Sequence, residues 1–89
     1  MFFIGIDVSK IKLDCCLLLD ADSHKRRAKV VANSKAGITD LVAWCTKQKV
    51  PVHGLHAILE GTGVYHEQAA LALTDAGATV SLVNPAFMP

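Results

Sequence analysis

Short apolar runs divide the chain into predicted strands and helices. Residues 2–10 open with apolar side chains and glycine, which is typical of a buried strand. Over residues 11–19 the apolar positions recur at every second residue, which predicts a second strand and a hairpin at Ser9-Lys10. Residues 24–32 alternate weakly and are predicted to form an edge strand, the third strand β3. We call its four basic residues the β3 cations: Lys25, Arg26, Arg27 and Lys29.

The spacing of apolar residues then changes to that of helices. Ser34 is the predicted N-cap of a helix that runs to about residue 48 and ends before Pro51. Its apolar stripe consists of Ile38, Leu41, Val42 and Cys45. Residues 55–59 form an apolar run that is predicted to be a buried strand and leads into Glu60.

The rest of the pattern gives one more helix and one more strand. A helix is predicted over residues 64–76, with Thr62 available as a cap and a stop at Gly77. A last strand is predicted over residues 79–83. Three hairpin-linked strands followed by two crossover units predict an α/β fold, a mixed five-stranded sheet with its first strand in the centre.

Two acids in this sheet carry the candidate chemistry. Asp7 lies within the first apolar run and Glu60 at the end of the fourth strand, so the predicted topology allows them to lie side by side. A carboxylate in a buried strand is costly unless a metal, a cation or hydrogen-bond donors pair with it. Two carboxylates at about 4 Å repel by about 4 kcal/mol at a near-surface dielectric. A hard divalent cation such as magnesium would favour this oxygen site, although a locally satisfied structural Asp7 is nearly as compatible with the pattern.

Composition limits the class of protein. The 89 residues, 52% of them hydrophobic, suit a single small domain, 1–89. A net charge of +1 gives no global attraction to nucleic acid or membranes, and no apolar run reaches the roughly 18 residues of a membrane span. No signal peptide is recognised. Three cysteines without a C-x-x-C pair predict a reduced, cytoplasmic protein without zinc.

Several other polar residues have both a functional and a plain interpretation. The β3 cations are more typical of a solvated sheet edge than of a phosphate contact. Lys10 and Lys12 could approach DNA phosphates or shield the acids, but solvated lysines at a hairpin end fit at least as well. Tyr65 could stack near Glu60 or simply pack in the first turn of its helix. The histidines are not at a metal-binding spacing, and the glycines at 61 and 63 lack the lysine of a phosphate-binding loop.

The motifs, taken together and in order, resemble a known family. They are Gly5-Ile6-Asp7-Val8-Ser9-Lys10, Leu13-Asp14, Asn33, Gly37, Glu60-Gly61-Thr62-Gly63-Val64-Tyr65-His66, Gly77 and Val83-Asn84-Pro85. Along essentially its whole length, the chain resembles the N-terminal, RuvC-like part of the DEDD transposases of insertion sequences of the one-ten family, relatives of the Piv invertase. The order of elements resembles the ribonuclease-H-like fold. Gly61 departs from the alanine that is common in the family.

The resemblance implies a function and a site. In that family four acids hold divalent metal for DNA strand cleavage and transfer, and Asp7 and Glu60 match the first two, as catalytic and metal-binding residues. Magnesium or manganese is the implied cofactor and DNA the implied partner, with a guide RNA acting through the full-length protein. The other two acids and the serine nucleophile are expected outside these 89 residues. The chain alone is therefore predicted to bind metal weakly, to lack nuclease activity and to self-associate through an uncovered sheet face.

Two other functions stay open at the level of sequence. Actin-like-fold kinases and ATPases also begin with a Gly-Ile-Asp strand and a hairpin that holds phosphate. The turn Val8-Ser9-Lys10 lacks the glycine or threonine richness that such a grip favours. Alternatively, the chain is a non-catalytic fragment that dimerises or binds DNA.

Overall fold

Five strands and two helices make up the part of the chain that the computed structural model describes, residues 2–20, 25–60 and 65–83. The strands are β1 (Phe2–Val8), β2 (Lys12–Asp20), β3 (Lys25–Ala32), β4 (Leu55–Glu60) and β5 (Thr79–Val83). The helices are α1 (Lys35–Lys47) and α2 (His66–Ala76), and a short 3-10 turn, Val52–Gly54, precedes β4. The order of elements is the predicted one.

The strands form one mixed sheet in the order β3-β2-β1-β4-β5. β1 is antiparallel to β2 and parallel to β4, β3 is antiparallel to β2, and β5 is parallel to β4. The chain passes from β3 to β4 through α1 and from β4 to its parallel neighbour β5 through α2, because a tight turn cannot join parallel strands. The predicted α/β class and the central position of β1 are both confirmed.

The hydrophobic core lies between one face of this sheet and the two helices. Every second residue of β1, β2 and β4 is buried on that face, as the two-residue period of a strand dictates. The helices contribute Ile38, Leu41 and Cys45 from α1 and Ala69 and Leu73 from α2. We call the opposite face the open face, because no described helix covers it.

The burial of β1 differs from the prediction. Ile4, Ile6 and Val8 are buried, but Phe3 and Asp7 on the open face are exposed. The apolar run suggested burial on both sides of the sheet. Gly5 has no polar side chain, so the sequence did not show the two-residue alternation of exposed and buried positions. The side chain of Asp7 is therefore solvated, and the predicted desolvation cost does not arise.

The first hairpin also turns one residue later than predicted. Its turn is centred on Lys10 and Ile11, so β2 begins at Lys12 and Ile11 is 75% exposed. Ser9 closes the turn, since both its N–H and its hydroxyl donate to the carbonyl of Lys12, at 3.0 and 2.9 Å. The isoleucine suggested a strand residue because hydropathy alone does not reveal a turn.

The helix ends follow the sequence signals. The Ser34 hydroxyl accepts a hydrogen bond from the Gly37 N–H at 3.0 Å, which confirms the predicted N-cap of α1. A Cβ at Gly37 would collide with the backbone carbonyl of Ala32, so glycine lets α1 begin directly above the end of β3. α2 ends at Gly77, whose φ of 110° is left-handed. The predicted cap Thr62 and the predicted start at residue 64 lie outside the described residues. No described helix is long and apolar enough to cross a membrane.

Candidate metal centre at the end of the central strand

Three carboxylates lie next to one another on three adjacent strands. Asp7 on β1 is in register with Asp14 on β2 and with Glu60 on β4. Paired residues of neighbouring strands project from the same face, so all three belong to the open face. We call Asp14, Asp7 and Glu60 the acid row. The predicted juxtaposition of Asp7 and Glu60 is present in the sheet.

Hydrogen bonding between strands fixes the spacing within the row. Neighbouring strands lie about 4.8 Å apart, so each carboxylate has another at its side. All three side chains are exposed, and like charges directly opposite each other destabilise a sheet. Lys12 Nζ lies 3.8 Å from Asp14 Oδ2, and their side chains are 55% and 48% exposed. Such a solvated pair contributes little and leaves most of the repulsion in place.

The row lies where open sheets commonly bind ligands. Asp7 and Glu60 are the last register pair between the parallel strands β1 and β4, at the carboxyl ends of both. In α/β sheets, ligands bind beyond these ends, where the chain leaves the sheet to either side. Here β1 continues into the hairpin with β2, whereas β4 leads towards α2. The sheet thus holds two carboxylates rigidly at the carboxyl ends of β1 and β4, the edge that we call the rim.

The donor set suits a hard cation but is incomplete. Carboxylate oxygens are the ligands that magnesium and manganese prefer. Among the described residues, no group of three or more His, Cys, Asp or Glu side chains is arranged to hold a metal ion. Asp7 and Glu60 therefore fit as part of a coordination shell, with water or further ligands required for the rest.

The structure spreads the other predicted site residues around this rim. Lys10 is exposed in the hairpin turn, and Lys12 contacts Asp14 as described above. The side chain of Tyr65 is 44% exposed just before α2. Their role in binding nucleic acid stays a prediction.

His56 on β4 makes its polar and aromatic contacts within the sheet. His56 Nε2 lies 2.7 Å from Ser81 Oγ on β5, and its ring packs against Phe3 with centroids 5.4 Å apart. A histidine that is hydrogen-bonded in this way is satisfied by its own sheet.

Asn33 is the polar residue whose role the sequence did not reveal. Its side-chain nitrogen donates to the carbonyl of Ser9 at 2.8 Å and to the carbonyl of Tyr65 at 3.0 Å. Its backbone N–H donates to the carbonyl of Ile11 at 3.0 Å. In the sequence it stood out only as one residue of the family motifs, just before the predicted N-cap Ser34, and neither signal indicated these contacts. The partners lie 24 and 32 residues away, beyond the reach of local patterns.

The two buried thiols, Cys15 and Cys45, are protonated near neutral pH. Burial, with smaller contributions from Cys45 and Asp14, raises the pKa of Cys15 from 9.0 to about 12. Burial likewise raises the pKa of Cys45 to about 11. Both residues therefore stay neutral near pH 7, and they act as small apolar side chains rather than as nucleophiles or metal ligands.

Comparison with known proteins supplies the family. The model of the DEDD transposases of insertion sequences of the one-ten family, described as "Transposase", matches residues 4–89. The pilin gene-inverting proteins of Moraxella lacunata and Moraxella bovis are each 30% identical over 87 residues. Those matches cover 97% of this chain and 26% of each relative, so the chain spans about a quarter of the length of these curated relatives.

Solved structures agree at the level of the fold. Thermus thermophilus RuvC in complex with a Holliday junction substrate superposes with a TM-score of 0.59 at 16% identity, covering 97% of this chain and 67% of RuvC. Fowlpox virus resolvase, in complex with Holliday junction DNA, gives 0.54 at 15% identity, covering 100% of this chain and 64% of the resolvase. The fold is thus RuvC-like, and the match over residues 4–89 shows that the chain belongs to the DEDD transposase family of the one-ten insertion sequences.

Proposed function

We propose that this chain supplies the first two acids of a divalent-metal centre for DNA strand cleavage and transfer. The observation that carries the proposal is the register of Asp7 with Glu60 at the carboxyl ends of two parallel strands. Two exposed like charges held side by side cost stability unless a cation lies between them. Family membership supports the same chemistry, and the two acids match the first two positions of the family's motif.

In this proposal the role of the chain's own residues is to bind the metal ion and to orient it. Asp7 and Glu60 would hold a magnesium or manganese ion, which would supply Lewis-acid chemistry at phosphate oxygens. Asp7 and Glu60 present hard oxygen donors to that ion from two hydrogen-bonded strands. Because the ladder between β1 and β4 restricts both backbones, the two carboxylates need little reorganisation when the ion binds.

DNA is the proposed partner. The fold is shared with Thermus thermophilus RuvC, solved with a Holliday junction substrate, and with fowlpox virus resolvase, solved with Holliday junction DNA. Lys10 and Lys12 flank the metal site and Tyr65 lies exposed at the same rim, so they are the proposed phosphate and base contacts. A guide RNA and a homo-oligomer stay predictions. Because the chain spans about a quarter of the length of the two curated relatives, only the part of the centre that its own residues form is proposed for it.

A titration of the purified chain with manganese, followed by calorimetry, tests the site. We expect weak binding in the wild type and its loss in both Asp7→Ala and Glu60→Ala. Asp40→Ala, which removes an exposed acid of α1 away from the row, is the matched control and should bind like the wild type. Binding that survives either substitution would contradict the proposal, as would equal loss in the control.

Activity provides a second test. Two acids of a four-acid centre leave the shell incomplete, so the 89-residue chain is expected not to nick supercoiled plasmid with magnesium. Nicking that Asp7→Ala abolishes would overturn this expectation. Saturable ATP binding in a parallel titration would favour the actin-like kinase alternative instead.

A further inference from the structure

The side-chain amide of Asn33 joins two chain segments that leave the candidate metal centre. Its nitrogen contacts the carbonyl of Ser9, two residues after Asp7, and the carbonyl of Tyr65, five residues after Glu60. Asp7 and Glu60 form the last register pair between β1 and β4 among the described residues. The amide therefore links the two strands through residues that follow this pair.

The chemistry of this contact determines the orientation of the amide. Both partners are carbonyl oxygens, which only accept hydrogen bonds, so only the NH₂ end of Asn33 can satisfy them. The two bonds use both donors of that nitrogen. The Oδ1 atom is buried and has no hydrogen-bond partner among the described residues. The described hydrogen bonds of this side chain are therefore both donated by its nitrogen. An isosteric aspartate would place a charged oxygen against the same two carbonyls.

From this geometry we infer that Asn33 is a positioning residue for the metal centre, an inference that rests on the function proposed above. It acts through the backbone and touches neither carboxylate. By tying the end of β1 to the segment just before α2, it limits fraying at the strand ends and so maintains the spacing of Asp7 and Glu60 that the strand ladder sets. Its own backbone N–H, bonded to Ile11, anchors the tie to the hairpin turn.

The test compares Asn33→Asp with Ser34→Ala. Asn33→Asp keeps the side-chain shape and removes both donors, and Asn33→Ala replaces it if the aspartate variant does not fold. Ser34→Ala is the matched control at the next position, since it removes only the cap bond to the Gly37 N–H and leaves the Asn33 contacts in place. The readouts are hydrogen exchange of the Ser9 amide, the ¹³C shift of the Tyr65 carbonyl, and manganese affinity by calorimetry.

We expect the Asn33 variants to speed exchange at Ser9 and to shift the Tyr65 carbonyl. Their manganese affinity should fall about tenfold, the lower end of the range for groups that orient metal ligands. Ser34→Ala should change none of these readouts, even though it lowers the melting temperature. Unchanged exchange and carbonyl shift in the Asn33 variants would overturn the inference, as would an equal loss of affinity in Ser34→Ala. If the wild-type chain binds no manganese, the proposed function fails, and the exchange and carbonyl readouts alone decide the role of Asn33.

Discussion

The acid row makes the stability of the metal-free chain depend on the charge of Asp7. This residue has a like charge on each side, whereas Asp14 and Glu60 each have one such neighbour within the row. Two exposed unit charges about 5 Å apart repel by somewhat less than 1 kcal/mol in water. Measured like-charge pairs in sheets have a similar size, about 0.2–1 kcal/mol. Asp7→Asn should therefore stabilise the chain by about 1 kcal/mol in EDTA, by removing both repulsions.

The same geometry predicts an order among the three acids. Glu60→Gln removes one repulsion and should gain about half as much as Asp7→Asn. Asp14→Asn also removes one repulsion but loses the contact with Lys12 at 3.8 Å, so its net effect should be close to zero. For a domain of this size, 1 kcal/mol corresponds to a shift of about 4–8 °C in the melting temperature.

Thermal unfolding followed by circular dichroism measures these shifts. In EDTA the melting temperatures should decrease in the order Asp7→Asn, Glu60→Gln, Asp14→Asn, with Asp40→Asn matching the wild type. High salt should reduce the differences, because these charges are exposed. With manganese at ten times its dissociation constant, the wild type should gain about 1.4 kcal/mol, and Asp7→Asn should gain nothing. A melting temperature of Asp7→Asn in EDTA at or below that of the wild type would refute the reasoning.

Four further predictions concern packing, thiol reactivity, stability at high pH and the sheet edge. Gly37→Ala should destabilise the chain by about 1–3 kcal/mol in urea unfolding despite the better helix propensity of alanine, whereas Gly54→Ala, where a Cβ makes only ordinary contacts, should be nearly neutral. In native chain at pH 8, iodoacetamide should label Cys16 alone, and labelling of Cys15 or Cys45 before unfolding would contradict their burial. Burial raises the pKa from 9.0 to about 12 for Cys15 and to about 11 for Cys45, so the two neutral thiols contribute fully to the free energy of unfolding below pH 9. This contribution is lost as the pH rises through the two raised pKa values. Replacing the β3 cations with threonine should leave the salt dependence of DNA binding unchanged, and a slope smaller by about 0.9 per cation would instead indicate phosphate contacts.

Local periodicity accounts for the parts of the fold that the sequence predicted well. The β5 bounds and the Ser34 cap agree with the prediction because each depends on a few adjacent residues. The place of β1 at the centre followed from the order of elements and the rule for crossovers. Since Asp7 and Glu60 end two neighbouring parallel strands, their adjacency followed from the same topology.

Features that depend on register or on distant partners were not predictable in this way. A turn centred one residue later changes which residue of β2 faces Asp7, and this shift brings Asp14 into the acid row. The exposed Ile11 gave no sign of that turn, because its hydropathy matches a strand. Asn33 is recognisable only once segments 24 and 32 residues away are placed around it.

One-sided burial of β1 changes the physical basis of the proposed centre. A carboxylate that is buried on both sides of a sheet would require a partner to offset desolvation, and removing that partner would unfold the strand. Asp7 is instead solvated on the open face, so its cost is repulsion from Asp14 and Glu60, which is smaller and is screened by salt. The chain can therefore fold without metal and keep two oxygen donors in register for an ion. In the proposed arrangement the backbone ladder and the amide of Asn33 supply the rigidity, and a bound ion would relieve a repulsion that the sheet already contains.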